Sequence, residues 1–247
     1  MEVHAHSSRT SGTRKKWTHY FWEFIMLFLA VFCGFLAEYQ LEHKIEKDRE
    51  KQYMKSMVED LKSDTVMLTR NIKQRQEKIM MVDSLVNILS SSSVNERGNE
   101  IYYYGRSISP PTNIFPNDGT IQQLKSSGNL RLIHNNTISN GIMEYDQKMR
   151  NVLFEMGDEV EIRAEYRILA RKLFKTNVFH EMIETDKISI PKNNPALFSR
   201  DANLLNEFIG ALQYFKRVHQ AQLILSGQLL IQAQTLLENI IKEYHQK

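Results

Sequence analysis

The stretch from Tyr20 to Tyr39 reads YFWEFIMLFLAVFCGFLAEY and follows a basic cluster at residues 14–16. Twenty residues at about 1.5 Å per residue make a helix of about 30 Å, which matches the hydrocarbon thickness of a bilayer. The sequence therefore predicts a transmembrane helix over residues 20–39. A short tail at 1–19 precedes it, and one extramembrane domain at 40–247 follows.

Aromatic side chains mark both edges of this predicted span. Trp and Tyr rings settle at headgroup depth in spanning helices, and Glu23 and Glu38 lie near the interfaces, where a carboxylate still reaches water. The residues predicted to anchor the chain are Trp17, Tyr20, Trp22, Phe24, Leu27, Leu29, Phe32, Phe35, Leu36 and Tyr39.

The uninterrupted apolar run covers only the fourteen residues 24–37, a length that also fits a cleavable signal peptide. Cleavage after Ala37 would place the bulky Phe35 where signal peptidase requires a small residue. Acylation of Cys33 is also unfavourable, because Phe32 stands where lipoproteins have Gly or Ala. We therefore expect a retained anchor, with a buried soluble helix and a cleaved signal as the alternatives.

The orientation of the span follows from the flanking charges. Basic residues are about equally frequent on the two sides, so the positive-inside rule discriminates weakly. The cluster at 14–16 lies closer to the apolar run, and a tail this short and hydrophilic usually remains where it was synthesised. We expect the N-terminus in the cytoplasm and the domain outside it.

Composition limits the function classes. The chain has 247 residues, of which 42% are hydrophobic, enough to bury one sizeable core beyond the anchor. Its 32 basic and 29 acidic residues give a net charge of +3, which provides no electrostatic footprint for nucleic acid. Cys33 is the only cysteine and lies in the span, which excludes disulfides and cysteine metal sites in the domain.

A seven-residue apolar repeat follows the span on a single long helix. Its apolar residues alternate at spacings of four and three, the heptad pattern of a coiled coil. Such a seam suits association with a second copy and the interior of a monomeric bundle equally well. The predicted seam residues are Met54, Val58, Leu61, Leu68, Ile72, Ile79, Val82, Val86 and Leu89.

Two further long helical patterns follow, one from Asn136 or Thr137 to about Phe174 and one that opens at Ser199 or Asp201. A short extra helix near Gln122 is predicted before them. Because three long amphipathic helices cannot bury their stripes alone, the predicted fold class is all-α, an elongated antiparallel bundle.

Proline and glycine concentrate in two segments, which predicts loops near 90–120 and 186–200. Within the first, Ile101–Tyr104 is interpreted as a short strand or an aromatic plug over the bundle.

Polar side chains interrupt the apolar stripe of the last helix. The three residues His219, Gln222 and Ser226 predict either a buried hydrogen-bonded layer or a small ligand pocket. The acidic run around Glu159 is interpreted as a solvated helix face with Arg163 as a neighbour.

No motif in the sequence predicts a reaction. Phosphate-binding glycine loops, nucleophile elbows and dinucleotide fingerprints do not occur. The segment 180–184, HEMIE, lacks the second histidine of the zinc-protease helix. We therefore expect no catalytic activity, no cofactor and no metal.

Three segments resemble an uncharacterised family of bacterial single-span membrane proteins. They are FWEFIMLFLAV at 21–31, EDLKSD at 59–64 and TIQQLKSSGNLRLI at 120–133. The resemblance covers roughly Trp17 to Tyr145 and implies a Gram-negative inner membrane, an N-terminal anchor and an extracytoplasmic helical domain. It brings no assigned activity.

The first functional hypothesis is a membrane-anchored structural or protein-interaction module of the bacterial cell envelope. Its partners would be the lipid bilayer and either a second copy or another envelope protein. The alternative is an extracytoplasmic ligand-binding or sensory module. Because the nineteen-residue tail is too short for an output domain, such a sensor would need a separate signalling partner.

Overall fold

The computed structural model describes residues 14–184 and 187–244, with side chains from Trp17 onward, so most of the predicted tail at 1–19 lies outside the described residues. Two compact units, 1–52 and 53–247, divide the chain. The helices are α1 (Arg14–Leu89), α2 (Gly98–Ser107), α3 (Gly119–Ser126), α4 (Asn136–Leu173), α5 (Thr176–Glu181) and α6 (Ala202–Tyr244). The described strands are two residues long, β1 (Ile183–Glu184) and β2 (Lys187–Ile188), and they pair antiparallel. The all-α prediction is confirmed.

The first unit holds the N-terminal part of α1. Among the described residues, α1 is the one helix that is long and apolar enough to cross a membrane, and none of its apolar window is buried in the protein. All ten predicted anchor side chains are exposed, from 47% for Phe32 and Leu36 to 79% for Trp17. The helix satisfies its own backbone hydrogen bonds, so its uncovered apolar surface is compatible with lipid.

The second unit is a helical bundle of α4, α6 and the part of α1 that begins at Tyr53. Residues further along α1 contact residues further along α4, so these two helices run in the same direction. The α6 contacts run in the opposite order, so α6 is antiparallel to both. The pairs are Asp64 with Tyr145, Arg75 with Glu159, Asn71 with Ser226, Lys216 with Asp83, and Lys148 with Gln232. Because α1 and α4 run in the same direction, the segment 90–135 that connects them must return the chain from the end of α1 to the opposite end of the bundle, where α4 begins.

Two apolar clusters form the core of this unit. The first surrounds Leu61 and joins α1 to α3, α4 and α6; the second surrounds Leu85 and joins α1 to α2, α4, α5 and α6. Burying one Leu or Phe side chain fully contributes about 1.5–3 kcal/mol relative to leaving it in water. The clusters therefore hold the long helices together at two separate levels.

The capping residues lie close to their predicted positions. Asn135 Oδ1 accepts hydrogen bonds from the backbone N–H groups of Thr137 and Ile138 at the start of α4. Asp201 Oδ1 accepts from Leu204 N at 2.8 Å at the start of α6. Gly128 follows α3 with φ of +67°, a left-handed conformation that favours glycine.

The predicted loop near 90–120 contains a ten-residue helix, α2, so the strand interpretation of Ile101–Tyr104 is wrong. A helix this short is marginal in water by itself, but burial of Tyr102 against Phe174, with ring centroids 5.1 Å apart, stabilises it here. The Tyr102 hydroxyl donates to Ala196 O and accepts from Lys175 N. The aromatic segment thus packs onto the bundle as a helix.

Candidate functional site

A buried polar layer lies in the second unit between the two apolar clusters. The predicted residues His219, Gln222 and Ser226 are all in it, each no more than 1% exposed. They belong to a larger layer of buried and half-buried polar side chains centred on Arg75, whose own side chain is fully buried. We refer to these side chains as the Arg75 layer, which consists of Asn71, Arg75, Lys78, Thr112, Glu159, Arg163, His219, Gln222 and Ser226.

The guanidinium group of Arg75 hydrogen-bonds to residues of every long helix that contributes to this layer. Its Nε donates to Asn71 Oδ1 at 2.9 Å, and its Nη2 donates to the backbone oxygen of Thr112 at 3.1 Å. Its Nη1 donates to Glu159 Oε2 at 2.8 Å and lies 3.1 Å from His219 Nδ1. One arginine therefore bridges α1, α4, α6 and the segment before α3.

Glu159 is 2% exposed, so its assignment to a solvated helix face is wrong. Besides Arg75, its carboxylate accepts from Arg163 Nη1 at 3.1 Å and from the backbone N–H of Thr112 at 3.4 Å. An ionised carboxylate can be buried because two guanidinium groups and a backbone N–H replace its hydration.

His219 is held in its neutral form. Arginine is a donor only, so His219 Nδ1 accepts from Arg75 and the ring proton lies on Nε2. Burial, reinforced by the positive charges of Lys78, Arg75 and Arg163, lowers the pKa of His219 to about 2. A proton on Nδ1 would also point directly at the guanidinium group.

Lys78 ties the segment before α3 to the bundle. Its Nζ donates to the backbone oxygens of Ile108, at 3.2 Å, and Pro110. Burial lowers the pKa of Lys78 to about 8 despite the opposing attraction of Glu159. Together with Arg75, this lysine holds residues 108–112 by their carbonyl oxygens.

The Arg75 layer has the properties of a structural layer more than of a reaction centre. Its charged groups are occupied by one another or, for Lys78, by backbone carbonyl oxygens, and no group of three metal-binding side chains occurs within residues 17–184 and 187–244. Three buried polar atoms in the described part of the layer make no hydrogen bond: Thr112 Oγ1, His219 Nε2 and Gln222 Oε1.

A second candidate site is a groove that no sequence pattern indicated. Two cavities of about 240 and 360 Å³ share the residues Arg106, Ser109 and Arg167. We call this pair of cavities the Arg106 groove. The smaller cavity is also lined by Tyr166, Arg171, Thr176 and Phe179, and the larger one by Pro110, Ile183, Glu184, Lys187 and Ile188.

Two arginines of the groove are positioned by neighbouring side chains. Arg167 donates from Nε to Ser109 Oγ at 3.1 Å and from Nη2 to Ser109 O at 3.0 Å. The Arg106 guanidinium lies over the Phe179 ring, 5.8 Å from its centroid. Arg106 Nε is buried and has no hydrogen-bond partner among the described residues. The groove therefore presents cationic groups whose hydrogen-bonding capacity is only partly used.

The other predicted site residues lie away from both sites. Six seam residues, Met54, Val58, Leu61, Leu68, Val82 and Leu89, are buried in the apolar clusters of the second unit, and Ile72, Ile79 and Val86 are partly buried. The seam thus packs inside the chain's own bundle. Neither cavity of the Arg106 groove is lined by His219, Gln222 or Ser226. In comparisons with protein-family models, curated proteins and solved structures, nothing matches this chain.

Proposed function

We propose that this chain is a single-span membrane protein whose helical domain acts as a structural or protein-interaction module of a bacterial cell envelope. The observation that carries the proposal is the apolar stretch 20–39 on α1, whose anchor side chains are all exposed. A surface this apolar is unfavourable in water over its whole length. Lipid is the partner that fits a 30 Å apolar helix with aromatic edges, about the thickness of a hydrocarbon core.

The proposal places the anchor in the inner membrane, the N-terminus in the cytoplasm and the domain in the periplasm. Support comes from the basic cluster at 14–16 and from the family resemblance of 21–31 and 120–133. A variant with Cys33→Ser and Ser92→Cys tests this topology, because Ser92 is exposed. We expect a membrane-impermeant maleimide to label the cysteine introduced at position 92 of this variant in spheroplasts with an intact inner membrane. Labelling only after lysis would show that the domain lies in the cytoplasm.

Extraction of membranes tests the anchor itself. We expect the full-length chain to stay in the membrane in alkaline carbonate and to dissolve only in detergent. Substituting Leu29→Arg together with Phe32→Arg places two charges in the middle of the span, which is costly in hydrocarbon, and should release the chain. Val66→Arg is the matched control, because Val66 is an equally apolar residue exposed on the second unit. A wild-type chain that washes off in carbonate would refute the anchor.

Association with a second copy or another envelope protein should use a surface other than the seam. Leu61 and Leu68 are fully buried in the bundle, so a charge at either position is expected to unfold the domain before it changes association. Crosslinking in native membranes distinguishes these outcomes when it is combined with circular dichroism of the purified variants. A folded Leu61→Asp variant that has lost its crosslinks would instead place the seam at an interface.

The second candidate function is a ligand-binding module that signals through a separate partner. The observation that favours it is the Arg106 groove, which combines two adjoining cavities of about 240 and 360 Å³ with partly unsatisfied arginines.

A further inference from the structure

The smaller cavity of the Arg106 groove is lined by three arginines and by no acidic side chain. Arg106, Arg167 and Arg171 come from α2 and from two successive turns of α4, so the bundle places three positive charges around one opening. Like charges in proximity repel one another, and none of the three makes an ion pair with another described residue. This arrangement is unfavourable for the empty protein and favourable for an anionic ligand.

Arg106 and Arg167 are held by contacts that leave donors available. Ser109 engages one edge of Arg167, and Phe179 supports the face of Arg106. The buried Arg106 Nε lacks a hydrogen-bond partner among the described residues. This nitrogen is closed to a ligand, but the terminal nitrogens of Arg106 are not among the buried atoms and remain available to a ligand oxygen.

We propose that the Arg106 groove binds a small phosphate monoester through Arg106, Arg167 and Arg171. A dianionic phosphate complements three guanidinium groups better than a monoanionic carboxylate does, and its oxygens match the fork of donors on arginine. The neighbouring Phe179 and Tyr166 rings provide an apolar wall for the organic part of the ligand. Glu184 lines only the larger cavity, so the phosphate belongs in the smaller one.

This inference names the ligand class of the second candidate function and does not depend on the membrane anchor. Carbonate extraction can therefore succeed while the binding experiment fails, and the reverse also holds.

Isothermal titration calorimetry on the full-length chain in maltoside detergent tests the proposal. The probes are phenyl phosphate, inorganic phosphate, benzoate and phenol. We expect phenyl phosphate to bind most tightly, because it offers both the dianion and the ring. We expect Arg167→Gln and Arg171→Gln each to weaken binding by about tenfold, the effect of losing one charge-assisted hydrogen bond. Arg131→Gln is the matched control, an exposed arginine outside the groove, and should bind as the wild type does.

Arg171 keeps the test decisive if Arg167→Gln perturbs the fold. Its side chain is exposed and makes no hydrogen bond or ion pair with another described residue, so its substitution changes chiefly the charge of the groove. Circular dichroism should show an unchanged helical content for this variant. The proposal is overturned if the wild type does not bind phenyl phosphate at millimolar concentration, if benzoate binds as tightly, or if Arg171→Gln keeps wild-type affinity.

A phosphate monoester can reach the groove as a soluble compound or as the headgroup of phosphatidic acid. Titrations in nanodiscs of phosphatidylcholine with and without phosphatidic acid separate these sources. Unchanged affinity for phenyl phosphate supports a soluble ligand, whereas weaker apparent affinity in the presence of phosphatidic acid supports the lipid headgroup.

Discussion

The neutral state of His219 makes the domain sensitive to acid at a pH that can be worked out from the structure. The unfolded chain binds a proton on this ring near pH 6.5, whereas the folded chain does so only near pH 2. In between, unfolding takes up a proton, so stability falls as the pH falls. The stability that the neutral His219 ring contributes is fully present above pH 6.5. About 2 kcal/mol of it is lost between pH 7 and pH 5.

The His219→Gln variant isolates this contribution because glutamine has a similar volume, offers an acceptor to Arg75 and does not titrate. Unfolding of the full-length chain in urea, followed by far-UV circular dichroism in detergent micelles, gives the free energy of unfolding at both pH values. The His219 ring packs against the Phe215 ring, with centroids 4.5 Å apart. Losing this contact in the variant lowers the free energy of unfolding equally at pH 7 and pH 5. We therefore expect the advantage of the wild type over the variant to shrink by about 2 kcal/mol on acidification.

His180→Gln is the control, because His180 is an exposed histidine at the end of α5. It should have the same pH dependence as the wild type. Charged groups around His219 come from two helices, with Arg75 and Lys78 on α1 and Glu159 and Arg163 on α4. If wild type and His219→Gln lose stability in parallel from pH 7 to pH 5, the ring is not held neutral and the tautomer argument fails.

Three further predictions use the same urea assay. Arg75→Met should lower the free energy of unfolding by about 3–5 kcal/mol, because it leaves Glu159 buried without its main counter-ion, and adding Glu159→Leu should recover most of the loss; equal instability of the single and double variants would contradict this. The advantage of the wild type over Lys78→Met should rise by about 2 kcal/mol from pH 7.5 to pH 10, since the folded chain loses this lysine's proton near pH 8 and the unfolded chain only near pH 10.5, so that unfolding takes up a proton in this window; a constant difference would refute it. Gly98→Ala should cost about 1–3 kcal/mol, because the added Cβ would clash with the backbone oxygen of Pro195. Gly157→Ala, with open space around it, should be neutral or stabilising, and equal effects at both glycines would show that the close approach is not rigid.

The fold was largely predictable because each long helix carries its own pattern. Apolar spacing predicted a helix from Asn136 or Thr137 to about Phe174, and α4 spans Asn136–Leu173. It predicted that the last helix opens at Ser199 or Asp201, and α6 begins at Ala202. The α2 helix was not predictable in this way, since its stability comes from burial of Tyr102 against residues that are distant in the sequence. Short elements depend on tertiary contacts that local propensity does not contain.

The candidate sites were predictable only in part, and for a related reason. His219, Gln222 and Ser226 stood out because they interrupt an apolar stripe. The sequence contains a comparable signal for the burial of Glu159. This residue lies seven positions from both Val152 and Tyr166, which are buried on the same face of α4. Its acidic neighbours obscured that spacing. The Arg106 groove had no local signal, because its arginines lie on separate elements that only the folded chain brings together.

The same heptad spacing explains why a polar layer belongs in the middle of an apolar bundle. Buried positions on α1 include Leu68, Arg75 and Val82, and those on α4 include Val152, Glu159 and Tyr166, each seven residues apart. Sliding one helix by seven residues, about 10 Å, would bring apolar positions opposite apolar positions again. It would also separate the two charges and leave both buried without a partner, at a cost of several kcal/mol per ion. The apolar clusters therefore drive the helices together, and the Arg75 layer selects the one register in which its charges meet.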